Sequence, residues 1–271
     1  MPPSADQADR FRQLHDGPEP LVMPNPWDVG SARLLAHLGF QALATTSSGF
    51  AGSLGRLDGQ VTRDEALAHA AAIAGATDLP VNGDLENGFG DAPEDVAATI
   101  TGAIDAGLAG GSIEDYTGRP DEPIYERAAA VARVAAAAEA AHAGPVPFVL
   151  TARAENYLHD RADLADTIER LQSFQEAGAD VLYAPGLRDA GQVAQVVREV
   201  DRPVNVLLLP GGPTVAELAE AGVRRISVGG AFSYVAAGAV AAAARELLED
   251  GTTGFMAQVV DGARVARRAY R

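Results

Sequence analysis

The sequence predicts a single (β/α)8 barrel, and three observations predict it. Eight short β-branched or apolar runs alternate with Ala-rich amphipathic segments along almost the whole chain. No break in composition marks a second domain, so residues 1–271 read as one unit, with 233–271 as a C-terminal helical segment. Helix start and stop signals fall between the runs, as crossovers between parallel strands require. A doubly wound open sheet also alternates strands and helices, but MPNPWDVGSA carries Pro24 and Pro26 where that fold needs its glycine fingerprint.

In chain order, the expected strands are LVMPN (21–25), QALATTS (41–47), LPVNGD (79–84) and GGSIED (110–115). They continue with FVLTAR (148–153), DVLYAP (180–185), PVNVLLL (203–209) and RRISVGG (224–230). Leu38-Gly39 stops the helix before the second strand, because glycine enters the left-handed conformation that ends a helix. Thr62-Arg63-Asp64-Glu65 opens the next helix with the spacing of a capping box. Ala106-Gly107, Ala177-Gly178 and Ala221-Gly222 stop the helices before the fourth, sixth and eighth strands. After the last strand, SYVAAGAVAAAARELLEDG reads as one long apolar helix and the tail to Arg271 as a short one. So Ala-rich a helix packs closely, either on another subunit or on the barrel wall as an ordinary eighth helix.

With 47% hydrophobic residues the chain can fill one large core, no apolar run reaches membrane-spanning length, and MPPSADQADRFRQ lacks the apolar core of a signal peptide. A cytoplasmic protein is expected. The net charge of -16 argues against nucleic acid or an anionic membrane as partner. There is no Cys, which removes disulfides, thiolate nucleophiles and Cys-bearing zinc sites. There is no Lys either, which excludes a Schiff-base aldolase, a pyridoxal enzyme and an ordinary Walker P-loop. Carboxylate, metal, Arg, Tyr and His chemistry remain.

Barrel sites are built from the carboxyl ends of the strands. Those ends supply Thr45 to Gly49 after the second strand and Asp58 in the loop beyond. They supply Asp84 and Glu86 after the third, Glu114 and Asp115 after the fourth, Arg153 and Glu155 after the fifth, and Asn205 on the seventh. In GDLENGFGD, side chains two apart on a strand share a face, so Asp84 and Glu86 are expected side by side. Like charges held that close need a cation or a shared proton. An oxygen-only set without nearby histidine suits Mg²⁺ or Mn²⁺. Taken singly, Asp84 also fits a turn, Glu114-Asp115 a solvated loop and Arg153 a structural ion pair. Of the five histidines, His159 is the one within reach of the rim. Gly211-Gly212 and Gly229-Gly230 fit either a phosphate cradle or simple strand ends.

SGFAGSLGRLD followed by GDLENGFG, together with MPNPWDVGSARLLAHLGFQALATTS, GGSIEDYTGRP, TARAE and TVAELAEAGVRRISVGG, resembles the isocitrate lyase and phosphoenolpyruvate mutase superfamily over most of the chain. The resemblance implies that Asp84 binds Mg²⁺ directly while Asp58, Glu86 and Glu114 hold its waters. It implies that Ser48, Gly49 and Phe50 offer hydroxyl and backbone donors to a substrate carboxylate, with Arg153 and Asn205 completing the anion site. It also implies a homotetramer, a dimer of dimers whose last helices are exchanged between subunits.

Two departures stand out. Glu86 replaces the family's usual Asp, and the loop after the fourth strand reads DYTGRPDEPIYERA, without the Lys-x-Cys-Gly-His motif of the lyases or the Lys and Asn of the phosphonate enzymes. Tyr116, Arg119, Asp121 and Tyr125 are the available loop replacements, with Tyr116 favoured beside Arg153 and Glu114 as catalytic groups. The expected activity is Mg²⁺-dependent carbon–carbon cleavage, retro-aldol or decarboxylation, in a small 2-oxo or 2-hydroxy di- or tricarboxylate. The alternatives are a weakly active or non-catalytic 2-oxo acid binding protein and a phosphonopyruvate-processing enzyme.

Overall fold

The computed structural model describes residues 3–271. The chain runs α1 (Ala5–Gln13), β1 (Leu21–Met23), α2 (Val29–His37), β2 (Leu43–Ala44), α3 (Ser47–Ser53), α4 (Arg63–Ala74), β3 (Val81–Asp84) and α5 (Pro93–Asp105). It continues β4 (Gly110–Glu114), α6 (Arg127–His142), β5 (Val149–Arg153), α7 (Leu164–Glu176), β6 (Val181–Tyr183), α8 (Ala190–Glu199), β7 (Val204–Leu207), α9 (Val215–Glu220) and β8 (Arg225–Ser227). Helices α10 (Ala231–Arg245) and α11 (Met256–Ala269) complete it.

Every ladder is parallel, in the order β1-β8-β7-β6-β5-β4-β3-β2. Two bonds bridge the remaining seam between β1 and β2. Ala44 N–H donates to Pro24 O at 3.0 Å, and Asn25 Nδ2 donates to Thr45 O at 2.8 Å. The strands are a (β/α)8 barrel, as the alternation predicts.

Local chemistry explains most boundaries. Thr62 and Glu65 form the predicted capping box of α4. Helices end at Leu38, Ala106, Ala177 and Ala221, each just before its predicted glycine, and Gly178 takes φ 105°. The run predicted as strand over 41–47 is strand only at Leu43–Ala44. Thr46 accepts from Gly49 N–H as an N-cap and opens α3, a helix the apolar pattern does not reveal.

The hydrophobic mass lies in the shell between strands and helices, where Leu43, Ile73, Val96, Ile100, Leu150, Leu171 and Phe174 are buried. A smaller cluster plugs the amino-terminal end of the lumen, with Phe11 of α1 against Leu21, Met23, Val149 and Val181. Gly110 makes room for that plug: a Cβ there would lie 2.7 Å from Phe11 Cε1 and 2.7 Å from Val149 O. Above the plug the lumen is polar, with Asn82, Ser112, Thr151, Asn205 and Arg225 all buried.

The C-terminal arm differs from the linear reading. α10 continues through a π turn to Asp250 as one apolar helix of 20 residues, none of it buried. By length and apolar content it matches a membrane span, contrary to the expectation that no run does. The charges Arg245, Glu246, Glu249 and Asp250 fall only in its last turns, which is why the run reads as shorter.

Candidate active site

Arg153 organises the carboxyl-terminal rim. It ends β5, and its guanidinium meets three acids: Nη1 to Asp84 Oδ1 at 3.0 Å, Nη2 to Glu114 Oε2 at 3.0 Å and Nε to Glu155 Oε1 at 2.8 Å. Side-chain exposure is 14% for Arg153, 18% for Asp84, 12% for Glu114 and 2% for Glu155, so these are sheltered charge-assisted contacts. Asp84, at the end of β3, is fixed from two further directions: its Oδ2 accepts from Ser47 N–H at 2.9 Å, and its own N–H donates to Thr45 Oγ1 at 2.8 Å.

Glu86 reaches the same place by an unexpected route. The strand stops at Asp84, and Glu86 takes φ 48°, so alternation along a strand does not align the two acids. The turn closed by Gly88 N–H to Leu85 O (2.9 Å) swings Glu86 round, while its carbonyl still accepts from Glu114 N–H at 3.0 Å. A non-glycine residue in this region is held at some cost in strain, which is a mark of functional sites.

The acids outnumber the base. Burial, then Asp84, then Asp58 push the Glu86 carboxyl up to about 8, against the pull of Arg153. Burial and Asp84 raise Asp58 as well. Burial raises Glu114 well above the usual carboxylate range despite Arg153. Asp115 is also lifted by burial, to about 7, but it belongs to the wall: it accepts from Glu155 N–H (2.8 Å) and Arg170 Nη1 (3.2 Å). Five carboxylates, Asp58, Asp84, Glu86, Glu114 and Glu155, thus face one guanidinium, a surplus of negative charge that a cation would relieve.

The donor set fits a hard divalent ion, being carboxylate oxygen without His or Cys. Among the described residues no three such groups close into a ready chelate, so such an ion would rest on few direct ligands and keep waters.

Asp84, Asp58, Arg153, Ser48 and Asn205 border one cavity of about 170 Å³. Glu86, Glu114 and Tyr116 border a wider hollow beside it, of about 540 Å³. A third cavity, of about 630 Å³, lies at the opposite end beside His15, His142 and Arg202, far from this charge cluster.

The other expected residues are placed as follows. The Ser48 hydroxyl lies 3.2 Å from Thr46 Oγ1. Gly49 N–H donates to Thr46 Oγ1 (3.3 Å) and Phe50 N–H to Thr46 O (3.0 Å), so both amides serve the first turn of α3. The Phe50 ring stacks on His69 at 3.8 Å. Asn205 is engaged at both ends, donating to Ser227 Oγ (3.1 Å) and accepting from Arg225 Nε (3.0 Å).

Tyr116 lies flat on His159, ring centroids 3.9 Å apart. Its loop is pinned: Thr117 N–H donates to Pro123 O (2.8 Å), and Asp91 takes Arg119 (3.0 Å) and the Tyr125 hydroxyl. Gly229 lines the smaller cavity, but its N–H already donates to Asn25 Oδ1 at 3.0 Å and is not free for a phosphate.

Sequence reasoning did not single out Arg225, Tyr183 or Asn82, which border the smaller cavity from the lumen. The signal was present: in Arg225-Ile226-Ser227, alternation turns Arg225 and Ser227 to one face, and an arginine inside an apolar strand is unusual.

Known proteins share this arrangement of chain. The family model described as phosphoenolpyruvate phosphomutase matches residues 11–248. A structure from Burkholderia cenocepacia J2315, provisionally named a lyase/mutase, is 55% identical, with TM-score 0.94, covering 97% of this chain and 95% of that one. The 2-methylisocitrate lyase of Escherichia coli K12 is 32% identical over 75% of this chain and 70% of its own. The oxaloacetate decarboxylase of Chromohalobacter salexigens is 30% identical over 87% and 83% respectively. A match that runs from α1 into the π turn, over a barrel whose acids converge on Arg153, leaves one conclusion: the chain belongs to the phosphoenolpyruvate mutase family of the isocitrate lyase/phosphoenolpyruvate mutase superfamily.

Proposed function

We propose that the protein is a Mg²⁺- or Mn²⁺-dependent carbon–carbon lyase that cleaves a small 2-oxo or 2-hydroxy di- or tricarboxylate, by decarboxylation or retro-aldol chemistry. The observation that carries this reading is the surplus of carboxylates around Arg153 at the rim of a small cavity. Asp84 would hold the cation, with Asp58, Glu86 and Glu114 on its waters. When bound, the cation supplies Lewis acidity to the head of a 2-oxo acid, where negative charge develops as the bond at C3 breaks.

The chain's own groups do the rest. Arg153 orients the anionic substrate and keeps Asp84 and Glu114 in place. Ser48 and Asn205 border the cavity as polar anchors for a carboxylate. Glu114 and Tyr116 line the adjoining hollow, from which either would hold a proton for C3 of the enolate that bond cleavage leaves behind. The absent loop thiol argues for decarboxylation, which asks less of a proton donor than a full retro-aldol step. The named activity of the Chromohalobacter relative agrees.

The test is pyruvate release from oxaloacetate and from 2-methylisocitrate, with Mg²⁺ and with EDTA, above the spontaneous rate. Turnover that EDTA or Asp84→Asn leaves unchanged would refute the metal reading. The pinned loop and the Tyr116–His159 stack favour a second reading, a 2-oxo acid binding protein with little turnover. Calorimetric binding without product release would select it. Phosphonopyruvate processing is retained only if phosphate or a rearranged product is released from that compound.

The bare α10 supports a homotetramer in which the C-terminal helices dock on neighbouring subunits, α11 also packing on α2 of its own chain. Tyr234, Val235, Val240, Leu247 and Leu248 are all exposed along the first of these helices. A monomer by light scattering would overturn that assembly. Fractionation with the cytoplasmic proteins is the expected location.

A further inference from the structure

Among the described residues, no acid balances the charge of Arg225. It is 2% exposed, yet its contacts are all neutral: Nε donates to Asn205 Oδ1 at 3.0 Å, Nη2 to Thr151 Oγ1 at 2.8 Å, and Nη1 lies 3.5 Å from His15 Nε2. Among the described residues no carboxylate forms an ion pair with it. Burial presses its guanidinium down to about 9, with Arg153 adding repulsion, although an arginine remains charged at neutral pH. A buried charge without a counter-ion is costly, so folds keep one where an anion arrives. Three contacts also leave guanidinium N–H groups to spare.

The place matters as much as the charge. Arg225 borders the same 170 Å³ cavity as Asp84 and Arg153, but from below, inside the lumen. Its partner Thr151 precedes Arg153 by two residues on β5, a drop of roughly 7 Å along a parallel strand. That separation is within reach of a four- or five-carbon chain with a carboxylate at each end. Asn82 Oδ1, buried and without a partner, borders the same cavity and offers an acceptor to a hydroxyl or a water.

We propose that Arg225 is a specificity-determining residue that receives the second, distal carboxylate of the substrate, so that the cavity selects dicarboxylates over monocarboxylates. This rests on the carboxylic-acid reading of the rim and adds to it a direction: the substrate head sits at Asp84 and Arg153, and its tail points down the lumen. Asn205 acts as a positioning residue, since its Oδ1 holds Nε and its Nδ2 is tied to Ser227.

The test is calorimetric titration of malate and lactate with Mg²⁺ present. The two share the 2-hydroxy acid head and differ in the second carboxylate. Wild-type protein should bind malate roughly 10- to 100-fold more tightly, the worth of a hydrogen-bonded charge contact. Arg225→Gln should lose that ratio while its lactate affinity stays within about twofold of the wild type, a split that general damage would not give. Arg225→Lys, which keeps the charge and loses the fork, should retain part of the ratio and serves if the Gln variant fails to fold. An unchanged ratio in the variants, or equal binding of both acids by wild type, overturns the inference and leaves the lyase reading standing. Wild-type protein that binds neither acid overturns both.

Discussion

Removing Arg153 tests whether the rim is an electrostatic balance or merely a set of polar side chains. In Arg153→Met the apolar stem survives, but Asp84, Glu114 and Glu155 lose a guanidinium at 3.0, 3.0 and 2.8 Å. Breaking one partner out of a sheltered ion pair costs ~3–5 kcal/mol, because the charge left behind is neither hydrated nor paired. Three acids depend on this one base, so the upper end of that range is expected at pH 8. Burial already raises Glu114, and without Arg153 it rises further.

The folded variant therefore holds protons that the unfolded chain has released above pH 4.5, and its stability falls as pH rises through that window. At pH 5.5, where Glu114 with its raised carboxyl can neutralise itself, about half of the loss should return. Urea melts of wild type, Arg153→Met and Arg153→Lys at both pH values measure this, with the lysine variant restoring part of the pH 8 deficit. A methionine variant as stable as wild type at pH 8, or with the same pH slope, would refute the reasoning.

Glu86 carries a related signature on its own. Its carboxyl sits at about 8 in the fold against 4.5 as its ordinary value, so its contribution is fully present below 4.5 and is lost as pH rises towards 8. Glu86→Gln should flatten that slope by an amount on the order of a few kcal/mol, read by melts from pH 5 to 8.5; an unaltered slope would discount the shift. If Tyr116 supplies the proton, Tyr116→Phe should lower kcat roughly 10²- to 10⁴-fold with thermal stability intact, since the ring stack on His159 survives. Unchanged turnover would remove that role. Gly110→Ala sets a Cβ against the Val149 carbonyl and should cost ~1–3 kcal/mol, seen as a lower Tm. A neutral effect would mean that the Phe11 plug yields.

The barrel was legible because its signals are local. A strand needs a short apolar run, and a helix stop needs a glycine such as Gly39 or Gly178. Asp84 and Arg153 were legible as rim residues because they end their strands. Glu86 joined them for a different reason from the one its spacing suggests, since a left-handed turn is not written in a two-residue alternation. Arg225 escaped because its meaning is non-local: only the closed barrel shows that nothing across from it on β5 or β7 is acidic. The exposure of α10 escaped for the opposite reason, since an Ala-rich run looks the same whether or not anything covers it.

The polar lumen has a consequence for how such a site changes over generations. Because the apolar mass that holds the chain together sits outside the staves, in the shell of Ile100, Leu171 and Phe174, exchanges at Ser112, Thr151 or Asn82 draw little on it. The lining of the barrel can therefore be rewritten while the molecule goes on folding as before, which separates change inside the lumen from the burden of staying intact.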